Sequence, residues 1–311
     1  MRRIAFIFPG QGSQYVGMGR EFYEEYETAR KIFLQADDTL RRNISDLCFN
    51  GPKEELMSTD NNQAAIVTMC IAIFKVLEEQ GISCKAVAGL SLGEYTALIA
   101  GGAISFEEGL KVVEARGKYM KEASESLKGS MAAVIGGKIE DIEEMCEQLS
   151  LKGTIAIANY NSPSQVVISG EEELIDEALE ELKKKGIRRA IKLAVSGGFH
   201  TKLMEKASLN LENKLKDVAF KKMGVEFIPN RTGEKLSDKQ DLKKLLKEQV
   251  VSSVLWQRSV ENMISMGINT FIEIGPGKSL SGFVKNINKV VEVFNVENKD
   301  TLIEVIDKIS V

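Results

Sequence analysis

The stretch Gly89-Leu90-Ser91-Leu92-Gly93 has the G-x-S-x-G spacing of a nucleophile elbow, in which the glycines let a strand turn sharply into a helix and lift the serine clear of the sheet. An apolar run, Ala86–Gly89, leads into it, and helix-forming Glu94–Ala100 follows, closed by Gly101-Gly102. In that setting the backbone N–H after the serine is aimed where an oxyanion would form, and the helix start adds a favourable dipole. The same pattern also describes a glycine-rich helix-capping turn, and spacing alone leaves both readings open. A serine hydroxyl is a poor nucleophile at neutral pH and needs an adjacent base. The chain has one histidine, His200, so any imidazole mechanism must use it. It follows Ala194-Val195-Ser196-Gly197-Gly198-Phe199, a strand end running into small residues, and precedes a helical stretch. That place suits a base, although a lone histidine also serves as a helix cap or surface residue. Serine before histidine in the chain matches the hydrolase-like order rather than that of chymotrypsin or subtilisin.

Three other stretches fail the demands of phosphate binding. After Gly10-Gln11-Gly12, Tyr15 stands where a dinucleotide fingerprint needs its third glycine. Gly12 and Gly17 have P-loop spacing, but Met18 occupies the lysine position and leaves a polyphosphate without counter-charge. Gly277-Lys278-Ser279 lacks its leading glycine, with Ile272 in that place. All three read as tight strand-to-helix turns.

The 311 residues are 43% hydrophobic and 28% charged with 5 Pro, enough apolar material for a full core. Length predicts roughly two domains of ~150 residues, or one α/β unit carrying an insertion. With 41 Lys+Arg against 45 Asp+Glu the net charge is 41 − 45 = −4, which argues against a whole-surface nucleic-acid binder. Cys48, Cys70, Cys84 and Cys146 are far apart and form no C-x-x-C pair, so neither a zinc site nor a disulfide framework is expected. Ile4–Phe8 is stopped by Pro9-Gly10, short of a secretory segment of about 7–15 apolar residues. No run of about 18 apolar residues marks a membrane span, and a reducing cytoplasm is the default compartment.

Strands at Ile4–Phe8 and Ala86–Gly89 alternate with helical material up to Leu40 and a long helix from an Asp60 or Asn61 cap to Gln80. That alternation predicts a parallel sheet covered on both faces. Residues 131–193 parse differently: strand Met131–Ile135, helix Ile139–Leu149, strands Thr154–Ala158 and Gln165–Ser169, helix Glu171–Lys185, strand Arg188–Leu193. The order β-α-β-β-α-β is a ferredoxin-like unit, with Asn159-Tyr160-Asn161-Ser162-Pro163 as the turn-rich loop between its central strands. Residues 127–194 are therefore read as an inserted small domain, and 1–126 with 195–311 as the catalytic domain. Further strands at Val225–Ile228, Thr270–Ile274 and Val291–Val296 and a helix at Leu302–Ile309 complete the latter.

Taken together these residues resemble the malonyl-coenzyme A:acyl carrier protein transacylases of type II fatty acid synthesis and, more distantly, the acyltransferase domains of polyketide synthases. The landmarks are Phe8-Pro9-Gly10-Gln11-Gly12-Ser13-Gln14, Gly89–Glu94, Arg116-Gly117-Lys118, Asn159–Gly170, Ser196–His200 and Glu273-Ile274-Gly275-Pro276-Gly277. They run in the family's order across essentially the whole chain. The resemblance implies a hydrolase-like α/β large domain with an inserted ferredoxin-like small domain. It also implies a Ser91–His200 dyad, acylated from malonyl-CoA and discharged to the phosphopantetheine thiol of acyl carrier protein, with no cofactor and no metal.

The resemblance further implies oxyanion donors in the backbone N–H groups of Gln11 and Leu92 and a base oriented by the Gln249 carbonyl. Arg116 would hold the malonyl carboxylate, whose bidentate pairing would select it over acetyl. Without the family, Arg116 is one of many charges on helix Val112–Met120, and solvated surface is the alternative. Gln63, Asn161, Phe199 and Arg189 are candidate substrate or carrier contacts. Leu90 replaces the histidine that often precedes the serine in this family, and Phe199 resembles malonyl-selective polyketide enzymes. An acidic carrier needs a local basic patch, for which Lys183-Lys184-Lys185, Arg188-Arg189 and Lys192 form the densest cluster. Lysines that merely complement a helix end are the alternative. The activity implied is an acyl-carrier-protein S-malonyltransferase of fatty acid elongation. Its partners would be malonyl-CoA and acyl carrier protein, with no nucleic acid and no membrane, and the chain is expected to be a monomer. A stand-alone polyketide acyltransferase, a serine thioesterase and a silent carrier-docking module remain alternatives.

Overall fold

Ile4-Ala5-Phe6-Ile7-Phe8 is apolar at every position instead of alternating, as a strand covered on both faces must be. In the computed structural model, which describes residues 2–195 and 197–309, this strand lies at the centre of a parallel sheet. Ser196, one of the landmarks above, lies outside the described residues. In chain order the strands are β1 (Ile4–Phe8), β2 (Ala86–Gly89), β3 (Gly129–Ile135), β4 (Ile155–Ser162), β5 (Gln165–Glu171), β6 (Arg189–Lys192), β7 (Glu226–Phe227), β8 (Thr270–Ile274) and β9 (Glu292–Val296). The large sheet has the order β7-β2-β1-β8-β9, with every pairing parallel. The small sheet, β4-β5-β3-β6, is antiparallel. Within its own unit that order is second, third, first, fourth, the ferredoxin-like arrangement.

A sheet buried on both faces needs helices without a polar face towards it. Helix Thr59–Glu79 supplies one, buried at every residue from Asn62 to Leu77 except the partly exposed Lys75. Its Phe74 ring meets Phe6 of β1 edge-on at 6.0 Å. The expected Asp60 or Asn61 cap is corrected: the cap position is Ser58, and Asp60 lies in the first turn, where its negative charge suits the helix dipole. Helix Ser279–Ile287 begins at the last residue of the rejected Gly277-Lys278-Ser279 stretch. Its first N–H groups are already taken by a carboxylate of this chain, since Leu280 and Ser281 donate to Glu273 at 3.1 and 2.7 Å.

The loop expected at Asn159–Pro163 is also corrected. Asn159 to Ser162 belong to β4, with register shifts between Ile157 and Asn159 and between Tyr160 and Ser162, so only a tight turn at Pro163-Ser164 separates β4 from β5. The backbone around the bulge has a partner outside the small sheet. Val254 donates to the Ala158 carbonyl at 2.8 Å and accepts from Tyr160 N–H at 3.0 Å, and Ser253 Oγ donates to the Ile157 carbonyl at 2.6 Å. The small sheet is thereby joined by backbone bonds to the segment that follows Gln249. No helix among the described residues is long and apolar enough to cross a membrane.

Candidate active site

In a parallel sheet the carboxyl ends of neighbouring strands open on one edge, where ligands bind. Here β1 leads to Gln11, β2 to Ser91 and β7 to Asn230. The turn after β2 is too tight for any side chain but hydrogen at its glycines: a Cβ on Gly89 would lie 2.0 Å from the Gly93 carbonyl, and one on Gly93 2.1 Å from the Phe8 carbonyl oxygen. Ser91 between them has φ 52, a left-handed conformation uncommon for a residue with a Cβ. It is held there at both peptide groups. Its N–H donates to Asn230 Oδ1 at 2.7 Å, and its carbonyl accepts from Gln249 Nε2 at 2.8 Å.

His200 also has a positive φ, 61. The loop before it presses on the start of the small sheet, where a Cβ on Gly129 would lie 2.3 Å from the Gly198 nitrogen. Thr201, not His200, caps the short 3-10 turn Lys202–Met204, so the helix-cap alternative for the histidine is set aside. The imidazole is 4% exposed, with Nε2 2.8 Å from Ser91 Oγ and Nδ1 2.8 Å from the Gln249 carbonyl oxygen. A carbonyl can only accept, so Nδ1 carries the proton and Nε2 is free to take one from the serine. Burial, and secondarily the Arg116 charge, lower the His200 pKa from 6.5 to about 4, which keeps the ring neutral at physiological pH.

Arg116, from helix Phe106–Ser126, is 1% exposed, and the solvated-surface alternative is corrected. Its guanidinium donates to Gln63 Oε1 at 2.7 Å, Gln249 Oε1 at 3.1 Å and Ser91 Oγ at 3.2 Å, and lies over the Tyr95 ring at 5.3 Å. Arg116 Nε is buried with no partner among the described residues. A buried cation with an unused donor beside a serine oxygen is a place for an anionic group.

The N–H groups of Gln11 and Leu92 donate to no atom among the described residues, while the Gln11 side chain bonds Thr59 at 3.2 Å. Gly10, just before Gln11, packs with a virtual Cβ 2.6 Å from the Leu90 carbonyl oxygen, which brings the turn after β1 against the elbow. Phe199 and Asn161 are buried, and Asn161 Oδ1 has no partner among the described residues. Two cavities open nearby, one reaching Gln11 and the other His200. One of about 290 Å³ is lined by Gln11, Met57, Thr59, Lys121 and Val195. Another, of about 770 Å³, is lined by His200, Lys202, Arg231, Ser252 and Tyr160. Arg189 and the Lys183–Lys185 run are exposed, and Lys192 is paired with Glu172 and Asp176 at 3.1 and 2.9 Å.

Sequence reasoning missed three buried residues. Glu94, 1% exposed, accepts from Asn230 N–H and Gln249 Nε2, and burial raises its pKa from 4.5 to about 7. Its signal was available, since it directly follows the elbow. Asn230 and Tyr95 had none: one is an asparagine after a two-residue strand, the other an aromatic within an apolar helix.

Residues 5–297 match the acyl transferase domain family. The chain belongs to that family. This acyl transferase is 42% identical over 303 residues to the malonyl CoA-acyl carrier protein transacylase of Bacillus subtilis, covering 97% of this chain and 96% of that one. Its structure is similar to that of malonyl CoA-acyl carrier protein transacylase from Clostridium perfringens, with TM-score 0.95 and 43% identity over 99% of this chain and 97% of the other. It is also similar, with TM-score 0.95 and 33% identity over 98% and 99% of the two chains, to a malonyl-transacylase in complex with a type II PKS acyl-carrier protein. The acyl transferase has the hydrolase-like parallel sheet and inserted ferredoxin-like sheet of these relatives.

Proposed function

We propose that this protein moves the malonyl group of malonyl-CoA to the phosphopantetheine thiol of acyl carrier protein through a malonyl ester on Ser91, supplying fatty acid chain elongation. His200 Nε2 takes the hydroxyl proton as Ser91 Oγ attacks the thioester carbonyl. The negative charge that develops on the carbonyl oxygen is met by the unused N–H groups of Gln11 and Leu92. Collapse expels the CoA thiolate, which takes the proton back from His200, and the carrier thiol then repeats the sequence in reverse. The Gln249 carbonyl does the orienting work usually left to a third acid.

The observation that carries this reading is the buried Arg116 guanidinium, 3.2 Å from Ser91 Oγ with Nε unpartnered. A neutral acyl chain gives that cation nothing, whereas a carboxylated one supplies the missing acceptors. Gln63 holds the guanidinium from behind, and we take Asn161 and Phe199 as walls of the acyl and pantetheine path. We take residues 127–194 as an inserted small domain and 1–126 with 195–311 as the catalytic domain. Arg189 and the neighbouring lysines are the face offered to the acidic carrier. Four unpaired cysteines suit the reducing cytoplasm where we place the reaction.

Intact-protein mass spectrometry after mixing with malonyl-CoA tests the chemistry. One malonyl adduct is expected, absent in Ser91→Ala and discharged on adding the phosphopantetheinylated carrier. An adduct that persists in Ser91→Ala overturns the assignment. Release of free malonate without the carrier would make the protein a thioesterase instead.

A further inference from the structure

Glu94 has no part in the proton and acyl transfers described above, yet it is buried at the centre of the residues that perform them. Both its oxygens are met by amide N–H groups: Oε1 accepts from the Asn230 backbone at 2.9 Å and Oε2 from Gln249 Nε2 at 2.5 Å. From those two partners the contacts spread to Ser91, Arg116 and His200. Asn230 Oδ1 accepts from Ser91 N–H at 2.7 Å, and its Nδ2 donates to the Gly89 carbonyl at 2.6 Å. Gln249 Nε2 also reaches the Ser91 carbonyl, its Oε1 takes a bond from Arg116, and its backbone carbonyl holds His200 Nδ1.

A primary amide can face either way in a site, and only its neighbours decide. Gln249 must present Nε2 to Ser91 and Oε1 to Arg116, since the reverse would set an NH2 group against a guanidinium. A side chain that accepts on both terminal atoms fixes that choice, and of the uncharged or acidic side chains of this length only a carboxylate does so. We propose that Glu94 is a positioning residue whose carboxylate locks the Asn230 and Gln249 amides, and through them holds Ser91, His200 and Arg116 in register for acyl transfer. The role rests on the acyl-transfer reading above.

The lock needs the ionised form. Burial raises the Glu94 pKa to about 7, opposed by its two amide bonds and by the Arg116 charge. The titratable groups facing it are Arg116 from helix Phe106–Ser126 and Tyr95 from its own helix, while the segments at 230 and 249 present uncharged amides. Arg116 stays charged, burial pushes Tyr95 up, and His200 is held near 4. Of these groups of the site, Glu94 is the one that titrates near neutrality, and its working form is lost as pH falls through about 7.

The experiment is single-turnover acylation of Ser91 by malonyl-CoA, read by quenched intact-protein mass across pH, with circular dichroism to confirm folding. A wild type that never acylates overturns the acyl-transfer reading itself. Given an acylating wild type, folded Glu94→Gln is expected to slow acylation by about 10²-fold, the size of effect a small misplacement of reacting groups produces. It should also lose the decline that the wild type shows as pH falls through about 7. Glu94→Asp, which keeps the charge on a shorter stem, should keep that decline and lose less rate, about tenfold. Acylation of folded Glu94→Gln within about threefold of wild type, or a decline that survives in it, overturns the proposal. Should Glu94→Gln not fold, an undiminished rate in Glu94→Asp overturns it equally.

Discussion

Arg116 and Arg189 stand in the two parts of this molecule and in opposite surroundings. Arg116 is 1% exposed, bonded to two glutamine side chains and a serine, and stacked on a tyrosine ring. Arg189 lies on β6, an edge strand whose residues are mostly exposed, and makes no ion pair among the described residues. A guanidinium stripped of water acts only on what fits its remaining donors, so it discriminates. An exposed one is hydrated and screened, so it attracts broadly and lets go easily. On the function proposed above, the large sheet would support a fixed chemistry, and the edge of the small sheet would meet a partner that arrives and departs at every turnover.

The sharpest break of that contrast is within the buried half. His200→Ala is expected to slow acylation by about 10²- to 10⁴-fold, the contribution of a positioned base, with the wild-type sheet intact by circular dichroism. A smaller loss would show that Ser91 is activated by something other than the imidazole. Next, Arg116→Ala should lower kcat/KM for malonyl-CoA by about 10- to 150-fold, the worth of charge-assisted hydrogen bonds, while acetyl-CoA suffers far less. Equal losses for both donors would make the arginine structural and remove the contrast. The smallest effect belongs to the exposed half. Reversing Lys183, Lys184 and Lys185 to Glu should raise KM for the carrier by roughly a few-fold at low salt, fade at high salt, and leave acylation by malonyl-CoA unchanged. A change in the acylation rate would mean that this edge reaches the chemistry after all.

Much of this site was legible in the sequence. Ser91 is marked by flanking glycines because the turn admits no Cβ at Gly89 or Gly93. His200 is marked by being the one imidazole in the chain. The strand limits at Ile4–Phe8, Ala86–Gly89 and Thr270–Ile274 were legible too, because a strand buried on both faces is an unbroken apolar run bounded by turn residues. β4 was misread after Ala158 because Asn159-Tyr160-Asn161-Ser162 has the composition of a turn. A bulged strand that borrows a backbone partner from Val254 can hold such residues, and nothing local announces a partner so distant in the chain.

What the sequence determined by itself was the chemistry: which residues could attack, which could take a proton, and which two sheets the chain would form. Those follow from residue type and short-range spacing. Only the tertiary structure decided the protonation states and the wiring. It turned Arg116 from one charge on a helix into a dehydrated cation beside the nucleophile, and it fixed the imidazole neutral with its proton on Nδ1. It also gathered Glu94, Asn230 and Gln249 from three distant segments into one hydrogen-bonded cluster. Burial and the facing donor set these properties, and both belong to the packed molecule.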